Sequence, residues 1–149
     1  MNRILAAVGL GLLFFIGFDG ASVAVAQEKD NEKSVKEKAA VNVAEKWLAT
    51  VDGGKYADSW EGAALYFRNA ITKEQWEKSL QAVRTPLGKV KLRQVQSKSY
   101  NTSLPGAPDG EYVVILFATS FENKASAIET VTPMLDKDGK WRVSGYFIR

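Results

Sequence analysis

The side chains that could carry chemistry in this sequence are carboxylates, arginines and tyrosines, because two reactive residue types are missing. The sequence contains no histidine and no cysteine. A Ser-His-Asp triad, an imidazole acid or base, a thiol nucleophile and a disulfide are therefore all excluded. Protein zinc sites depend largely on Cys and His ligands, and no phosphate-binding glycine loop is present. We therefore expect no metal and no cofactor.

Glu129 is the leading candidate for a functional carboxylate. A three-residue turn with a left-handed Gly139 would pair Leu135 with Trp141, and the same register places Glu129 opposite Phe147 on an otherwise apolar face. Burial there would raise the pKa of the carboxyl group unless an arginine compensates. The candidate partners are Arg68, Arg84 and Arg93. The functional interpretation is a general base or a ligand anchor, and the alternative is a structural ion pair or an exposed side chain.

Acidic and aromatic residues of the first half give further candidates. Asp58 and Glu61 flank Trp60 on a short predicted helix, where they could reach the same cavity or lie on solvated helix faces. Aromatic side chains could line a cavity mouth, with plain core packing as the alternative; they are Tyr56, Trp60, Tyr66, Phe67 and Trp76. The ligand-binding candidates are Tyr56, Trp60, Tyr66, Trp76, Arg84 and Glu129. The catalytic residues stay unknown, with Glu129 and Asp58 as candidates.

Three helices are predicted to position these side chains. The first begins at a capping box formed by Ser34 and Glu37. Its apolar stripe consists of Ala40, Val43, Ala44, Trp47, Leu48 and Val51. A short helix follows at residues 55–60. The third helix begins at a second capping box, residues 72–75, and ends before Pro86.

The second half changes to the period of two that is typical of strands. A strand that starts at Val90 loses its phase near Arg93 and Gln94, which indicates a bulge there. Residues 111–121 carry apolar side chains on both faces, so this strand is expected to be at least partly covered on both sides. Helices followed by an antiparallel meander are typical of α+β folds. We expect N-terminal helices packed on one face of a curved antiparallel four-stranded sheet, in a cone-like α+β roll.

The last two strands are predicted to form a hairpin at residues 127–135 and 140–148. Trp141, Val143 and Phe147 share one face of the final strand, and we expect that face to turn inward against the helices. The same register pairs Pro133 with Val143 and Val131 with Gly145.

The first 26 residues are typical of a secretory signal peptide. Arg3 precedes an apolar run that stops at Asp19, shorter than the roughly 20 residues of a membrane span. Small residues at Ala24 and Ala26 predict cleavage after Ala26. Residues 27–33 contain no apolar side chain and read as a flexible leader, so the folded domain is expected at residues 34–149. The mature protein would be periplasmic or secreted.

Several motifs give the chain a resemblance to a known family. They are Trp47-Leu48, Gly54-x-Tyr56-x-x-Ser59-Trp60, Arg84-x-Pro86-Leu87-Gly88, Leu104-Pro105-Gly106-x-Pro108-Asp109-Gly110-x-Tyr112, Glu129-Thr130-Val131 and Asp138-Gly139-x-Trp141-Arg142-Val143-x-Gly145-Tyr146. Together they resemble the bacterial exported domain-of-unknown-function family 4019. The order of elements is similar to the nuclear-transport-factor-2-like and ketosteroid-isomerase-like proteins. The enzymes among those proteins often use Asp or Tyr with His, and this chain has no His.

The favoured functional hypothesis is an exported non-catalytic domain that binds a protein partner or a small apolar ligand through the concave face of its sheet, with a homodimer as one form. The alternative is an enzyme of isomerase or hydrolase type whose base is a pocket carboxylate. A net charge of +3 also allows binding to anionic envelope surfaces, through Lys36, Lys38, Lys89, Lys91 and Arg93. No nucleic acid is expected, and membrane contact is expected only through the uncleaved precursor.

Overall fold

The computed structural model describes residues 20–149, which form helices followed by one sheet. The elements are α1 Gly20–Asp52, α2 Tyr56–Glu61, α3 Leu65–Ala70, α4 Lys73–Arg84, a 3-10 turn Thr85–Leu87, and strands β1 Val90–Asn101, β2 Tyr112–Phe121, β3 Lys124–Leu135 and β4 Trp141–Ile148. The strands pair antiparallel in the order β1-β2-β3-β4 and do not close into a barrel. The predicted α+β fold, with helices packed against a four-stranded sheet, is confirmed.

Helix α1 begins earlier than its sequence predicted. It runs without a break from Gly20, so the predicted start at Ser34 is wrong. Residues 27–33 are helical and exposed. Inside a helix the backbone N–H groups are already paired, which leaves Glu37 free for another contact. Its carboxylate accepts a hydrogen bond of 3.2 Å from the backbone N–H of Tyr100 in β1.

The predicted signal peptide covers residues 1–26. Its residues 1–19 lie outside the described part of the chain. Among the residues that the structure describes, no helix is both long and apolar enough to cross a membrane.

The core lies between the helices and one face of the sheet, which we call the inner face. Helix α1 contributes most of its predicted stripe, since Ala40, Ala44, Trp47, Leu48 and Val51 are all buried. The sheet contributes Val113, Ile115, Phe117, Val131 and Val143. Helix α4 begins as predicted, because Thr72 Oγ1 accepts from the Gln75 N–H at 3.2 Å and Gln75 Oε1 accepts from the Thr72 N–H at 3.1 Å.

Helix α3 was not predicted, and it protects an edge of the sheet. Its six residues are too few to show a helical period. The backbone N–H of Ala64, at its start, donates a 2.8 Å hydrogen bond to the carbonyl of Val143 in β4. This contact pairs a group at the sheet edge that would otherwise be open.

Strand β1 contains two register shifts, and neither lies where the sequence indicated. They fall between Val90 and Leu92 and between Val95 and Ser97. Arg93 itself pairs regularly with Thr119, so the predicted bulge at Arg93 is wrong. Directly paired residues share a face. The shifts therefore place Arg93 on the inner face beside Thr119.

The turn between β3 and β4 is the predicted one. Gly139 has a φ of +77°, and Leu135 pairs with Trp141 and Pro133 with Val143. Val143 is fully buried and Trp141 packs partly against the core, as expected.

Beyond these pairs the register of the hairpin differs from the prediction. A shift between Thr132 and Pro133 pairs Val131 with Tyr146 and Glu129 with Ile148. The predicted pairs Val131–Gly145 and Glu129–Phe147 are therefore wrong. Because a slip of one residue exchanges the two faces of a strand, Phe147 turns outward and is 54% exposed. Tyr146 takes the inward position that the sequence assigned to Phe147.

Candidate functional site

Six polar side chains meet where the C-terminal ends of α1 and α4 reach the inner face of the sheet. We call this set the charge network; its members are Asp52, Arg84, Arg93, Thr119, Glu129 and Tyr146. Each member comes from a different element, in the order α1, α4, β1, β2, β3 and β4. The network therefore links both long helices to all four strands.

Glu129 is the centre of the charge network and is fully buried. Its Oε1 accepts hydrogen bonds from Arg84 Nη1 at 3.1 Å, Arg93 Nη2 at 3.1 Å and the Tyr146 hydroxyl at 2.7 Å. Its Oε2 accepts from Arg93 Nε and Thr119 Oγ1, both at 2.6 Å. The predicted contact with an arginine is confirmed for Arg84 and Arg93, since both guanidinium groups donate hydrogen bonds to the carboxylate.

Asp52 gives the network a second carboxylate. Arg93 Nη1 donates to Asp52 Oδ2 at 2.6 Å and Arg93 Nη2 donates to Oδ1 at 3.0 Å, and Arg84 also donates to Oδ1. Burial alone would raise the pKa of Asp52. The hydrogen bonds and positive charge of Arg93 and Arg84 outweigh this effect, so the pKa of Asp52 lies below its ordinary value. Two carboxylates and two guanidinium groups leave the network without formal net charge.

Tyr146 joins the charge network to the aromatic core. Its hydroxyl donates to Glu129 and accepts from Arg84 Nη1 at 3.1 Å. Burial, followed by the charge of Glu129, raises the pKa of Tyr146 far above its usual range. Its ring lies 5.2 Å from Trp47 and 6.3 Å from Trp76, both in edge-on arrangements.

The hydrogen bonds of Glu129 decide what this carboxylate can do chemically. A carboxylate offers about four lone-pair positions, and Glu129 accepts from five donor atoms. A general base needs an oxygen within hydrogen-bond reach of a substrate proton. The occupied carboxylate is suited to balancing buried positive charge rather than to removing a proton.

A half-open pocket of about 370 Å³ adjoins the charge network. It is lined by Val51, Asp52, Gly54, Tyr56, Arg84, Gly88, Lys89 and Val90. Two sequence candidates, Tyr56 and Arg84, therefore come together here. Asp52 was missed, because an Asp followed by two glycines reads only as the end of a helix.

The remaining aromatic candidates are engaged in packing. Trp76 is buried and donates through Nε1 to Ser59 Oγ at 2.9 Å. Trp60 donates through Nε1 to the carbonyl of Ile71 at 2.8 Å, and the Tyr66 hydroxyl donates to the carbonyl of Gly106 at 3.0 Å. None of the three lines the pocket beside the charge network.

The other charged candidates also lie outside the charge network. Asp58 is exposed on α2. Glu61 forms an ion pair of 2.9 Å with Lys73. Arg68, the third predicted partner of Glu129, instead has its guanidinium 5.9 Å from the centre of the Trp60 ring; the proposed contact with Glu129 is wrong for this arginine.

Comparison with known proteins places the chain in a family. The sequence profile described as "Protein of unknown function (DUF4019)" matches residues 43–146. The chain belongs to this family. The DUF4019 segment contains all six members of the charge network and ends at Tyr146. Among curated proteins no match was found.

The DUF4019 domain has a second notable surface on the opposite side of its sheet. We call it the outer face. The register assigns to it Leu92, Gln94, Ser97, Ser99, Asn101, Tyr112, Val114, Leu116, Ala118, Ser120, Ile128, Thr130, Thr132, Met134, Arg142, Gly145 and Phe147. Its end at Tyr112 is approached by the preceding loop, since the Tyr112 hydroxyl donates to the carbonyl of Pro108 at 2.6 Å.

The outer face combines exposed apolar side chains with almost no charge. Leu92 is 56% exposed and Phe147 is 54% exposed. Two residues of this face are charged. Arg142 forms ion pairs with Asp136 at 2.9 Å and Asp138 at 2.7 Å, and Arg149 pairs through its backbone with Ile128 at one end of the face. In a chain of which 25% is charged, a sheet face with this composition is typical of an interaction surface.

Proposed function

We propose that this chain is an exported, non-catalytic domain that binds a protein partner through the outer face of its sheet. The observation that carries the proposal is the contrast between the two faces. The inner face is filled by the helices and the aromatic core. The outer face leaves Leu92 and Phe147 exposed among side chains that are mostly neutral. Binding through the helix-covered face, which the sequence favoured, would require the core to open.

Export is part of this proposal, and it is supported by the sequence of the first 26 residues. A short positive region, an apolar run and small residues at Ala24 and Ala26 are the three parts of a secretory signal. A relationship to the nuclear-transport-factor-2-like fold is likewise proposed, from the order of helices and meander. Fold alone does not assign an activity.

The enzymatic alternative has less support from the site. Its proposed base, Glu129, already accepts hydrogen bonds on both oxygens. Asp58 is exposed and is absent from the pocket lining. The pocket beside the charge network has a volume that suits a small ligand, but Asp52, Arg84 and Lys89 make it polar. A small apolar ligand is therefore the less favoured occupant.

Binding to anionic envelope surfaces also loses support from the geometry. Arg93 is bound to Asp52 and Glu129. Lys36 forms an ion pair of 2.8 Å with Glu111. Two of the five cations that this hypothesis used are thus already neutralised within the fold.

Site-specific photocrosslinking in the producing cells tests the proposed function. A benzophenone amino acid is placed at Ser97, which is exposed on the outer face, and at Gln81, which is exposed on α4. We expect a crosslinked product from position 97 and none from position 81. Equal products from both positions, or no product from position 97, would refute binding through the outer face.

A further inference from the structure

We propose that the partner on the outer face is a second copy of this chain; this inference rests on the function proposed above. Most soluble oligomers are symmetric, and in a twofold dimer the same patch of both copies must match itself. The outer face meets this requirement in its charge, its hydrogen-bonding groups and its size.

The charge of the outer face permits self-association. The chain has a net charge of +3, so two copies repel each other weakly overall. On the outer face Arg142 is neutralised by Asp136 and Asp138, and the second charged residue, Arg149, lies at one end of the face, where its backbone pairs with Ile128. Two copies can therefore approach through this face without placing like charges opposite each other, a placement that is costly at interfaces.

The polar side chains of the outer face are able to pair with themselves. Those that are not buried are Gln94, Ser97, Ser99, Asn101, Ser120 and Thr132. A hydroxyl or a carboxamide can both donate and accept a hydrogen bond, whereas a face of carboxylates or of ammonium groups cannot pair with its own copy. This composition favours a second copy over a strongly charged partner.

The size of the outer face is sufficient for a stable dimer. The strands contain 8 to 12 residues. With strands about 4.8 Å apart and a rise of about 3.3 Å per residue, the face covers about 600 Å². Two copies would bury about 1,200 Å², which reaches the lower limit of specific protein interfaces. Leu92 on β1 and Phe147 on β4 would provide apolar anchors at the two outermost strands.

Sedimentation velocity of the protein purified from the producing cells tests the inference directly. We compare the natural chain with Phe147→Lys and with Ser99→Lys, which adds a charge where the side chain is exposed and polar. Val83→Lys is the matched control, since Val83 is 47% exposed on α4. We expect a concentration-dependent dimer whose dissociation constant rises at least about tenfold in both outer-face variants and changes less than about twofold in the control.

The two proposals fail in different ways. A natural chain that stays monomeric up to about 500 µM would overturn the second-copy inference, because this concentration is well above the dissociation constants of specific dimers. So would a dimer that Val83→Lys weakens as much as Ser99→Lys does. If the chain is monomeric but position 97 still crosslinks to a protein of another mass, the outer face binds a different partner and only the inference falls. If neither a dimer nor a crosslink forms, both proposals fall.

Discussion

The hydroxyl of Tyr146 donates a 2.7 Å hydrogen bond to the carboxylate of Glu129. This contact depends on the register shift between Thr132 and Pro133, which turns Tyr146 inward and Phe147 outward. One irregularity in the β3–β4 hairpin thus serves both faces of the sheet. It completes the charge network on the inner face and exposes an aromatic ring on the outer one.

Neutralising Glu129 is expected to destabilise the fold strongly. Glu129→Gln keeps the size of the side chain but removes the buried negative charge that balances Arg84 and Arg93. Removing one partner of a buried ion pair costs about 3–5 kcal/mol, and we expect a loss of this size in the free energy of unfolding, measured with urea. Glu61→Gln, in an exposed pair with Lys73, is the control and should lower the free energy of unfolding far less, because exposed ion pairs contribute little. Similar losses for the two variants would contradict a central role of Glu129.

Tyr146 and Phe147 are expected to respond differently to truncation. Tyr146→Phe removes a hydrogen bond to a buried carboxylate, so it should reduce the free energy of unfolding by about 1.5–3 kcal/mol. Phe147→Ala, measured at a concentration where the chain is monomeric, should cost less than about 1 kcal/mol because the ring is exposed. Denaturant titration of both variants provides the measurement. A larger loss for Phe147→Ala would show that the register of β4 is the one without the shift.

Stability is expected to fall in acid, partly through Asp52. Its pKa lies below the ordinary value of about 3.9 in the folded chain. As the pH falls through that value, the unfolded chain binds a proton first, so the stabilisation from Asp52 is complete at higher pH and is lost toward lower pH. Unfolding free energies between about pH 2.5 and 7 should therefore decline below about pH 4. Asp52→Asn should decline less steeply, and an unchanged slope would argue against this role.

Processing of the precursor is expected after Ala26. The intact mass of the exported protein should correspond to a chain that begins at Gln27. Ala26→Lys places a long charged side chain where the peptidase requires a small one, so the precursor should accumulate. Ala49→Lys, an exposed change near the C-terminal end of α1, should be processed normally. An exported protein that still begins at Met1 would contradict the predicted signal.

The parts of the fold that could be predicted are those whose sequence patterns lie within a few residues of one another along the chain. The apolar stripe of α1, the capping box at Thr72 and the left-handed Gly139 each depend on local spacing, and the structure confirms all three. The register shifts in β1 and in the hairpin depend on how two strands pack together. No single stretch of sequence contains that information, and α3 is too short to show a period.

The candidate site was predictable only in part for the same reason. Glu129 and Arg84 could be singled out because a carboxylate on an apolar strand face needs a cation. Tyr146 was missed because its inward orientation follows from the register shift. Asp52 was missed because its contacts with Arg84 and Arg93 cross between elements far apart in the chain.

The order of the charge network along the chain has a consequence for how the protein reaches its native state. Its first member, Asp52, belongs to α1, and its last, Tyr146, belongs to β4. The hydrogen bonds that Tyr146 makes with Glu129 and Arg84 form only when the final strand is in place. A nascent chain whose strand β4 has not yet left the ribosome therefore lacks a complete charge network. For a protein that we propose is exported, this delay would keep the polypeptide unfolded during passage through a narrow translocation channel.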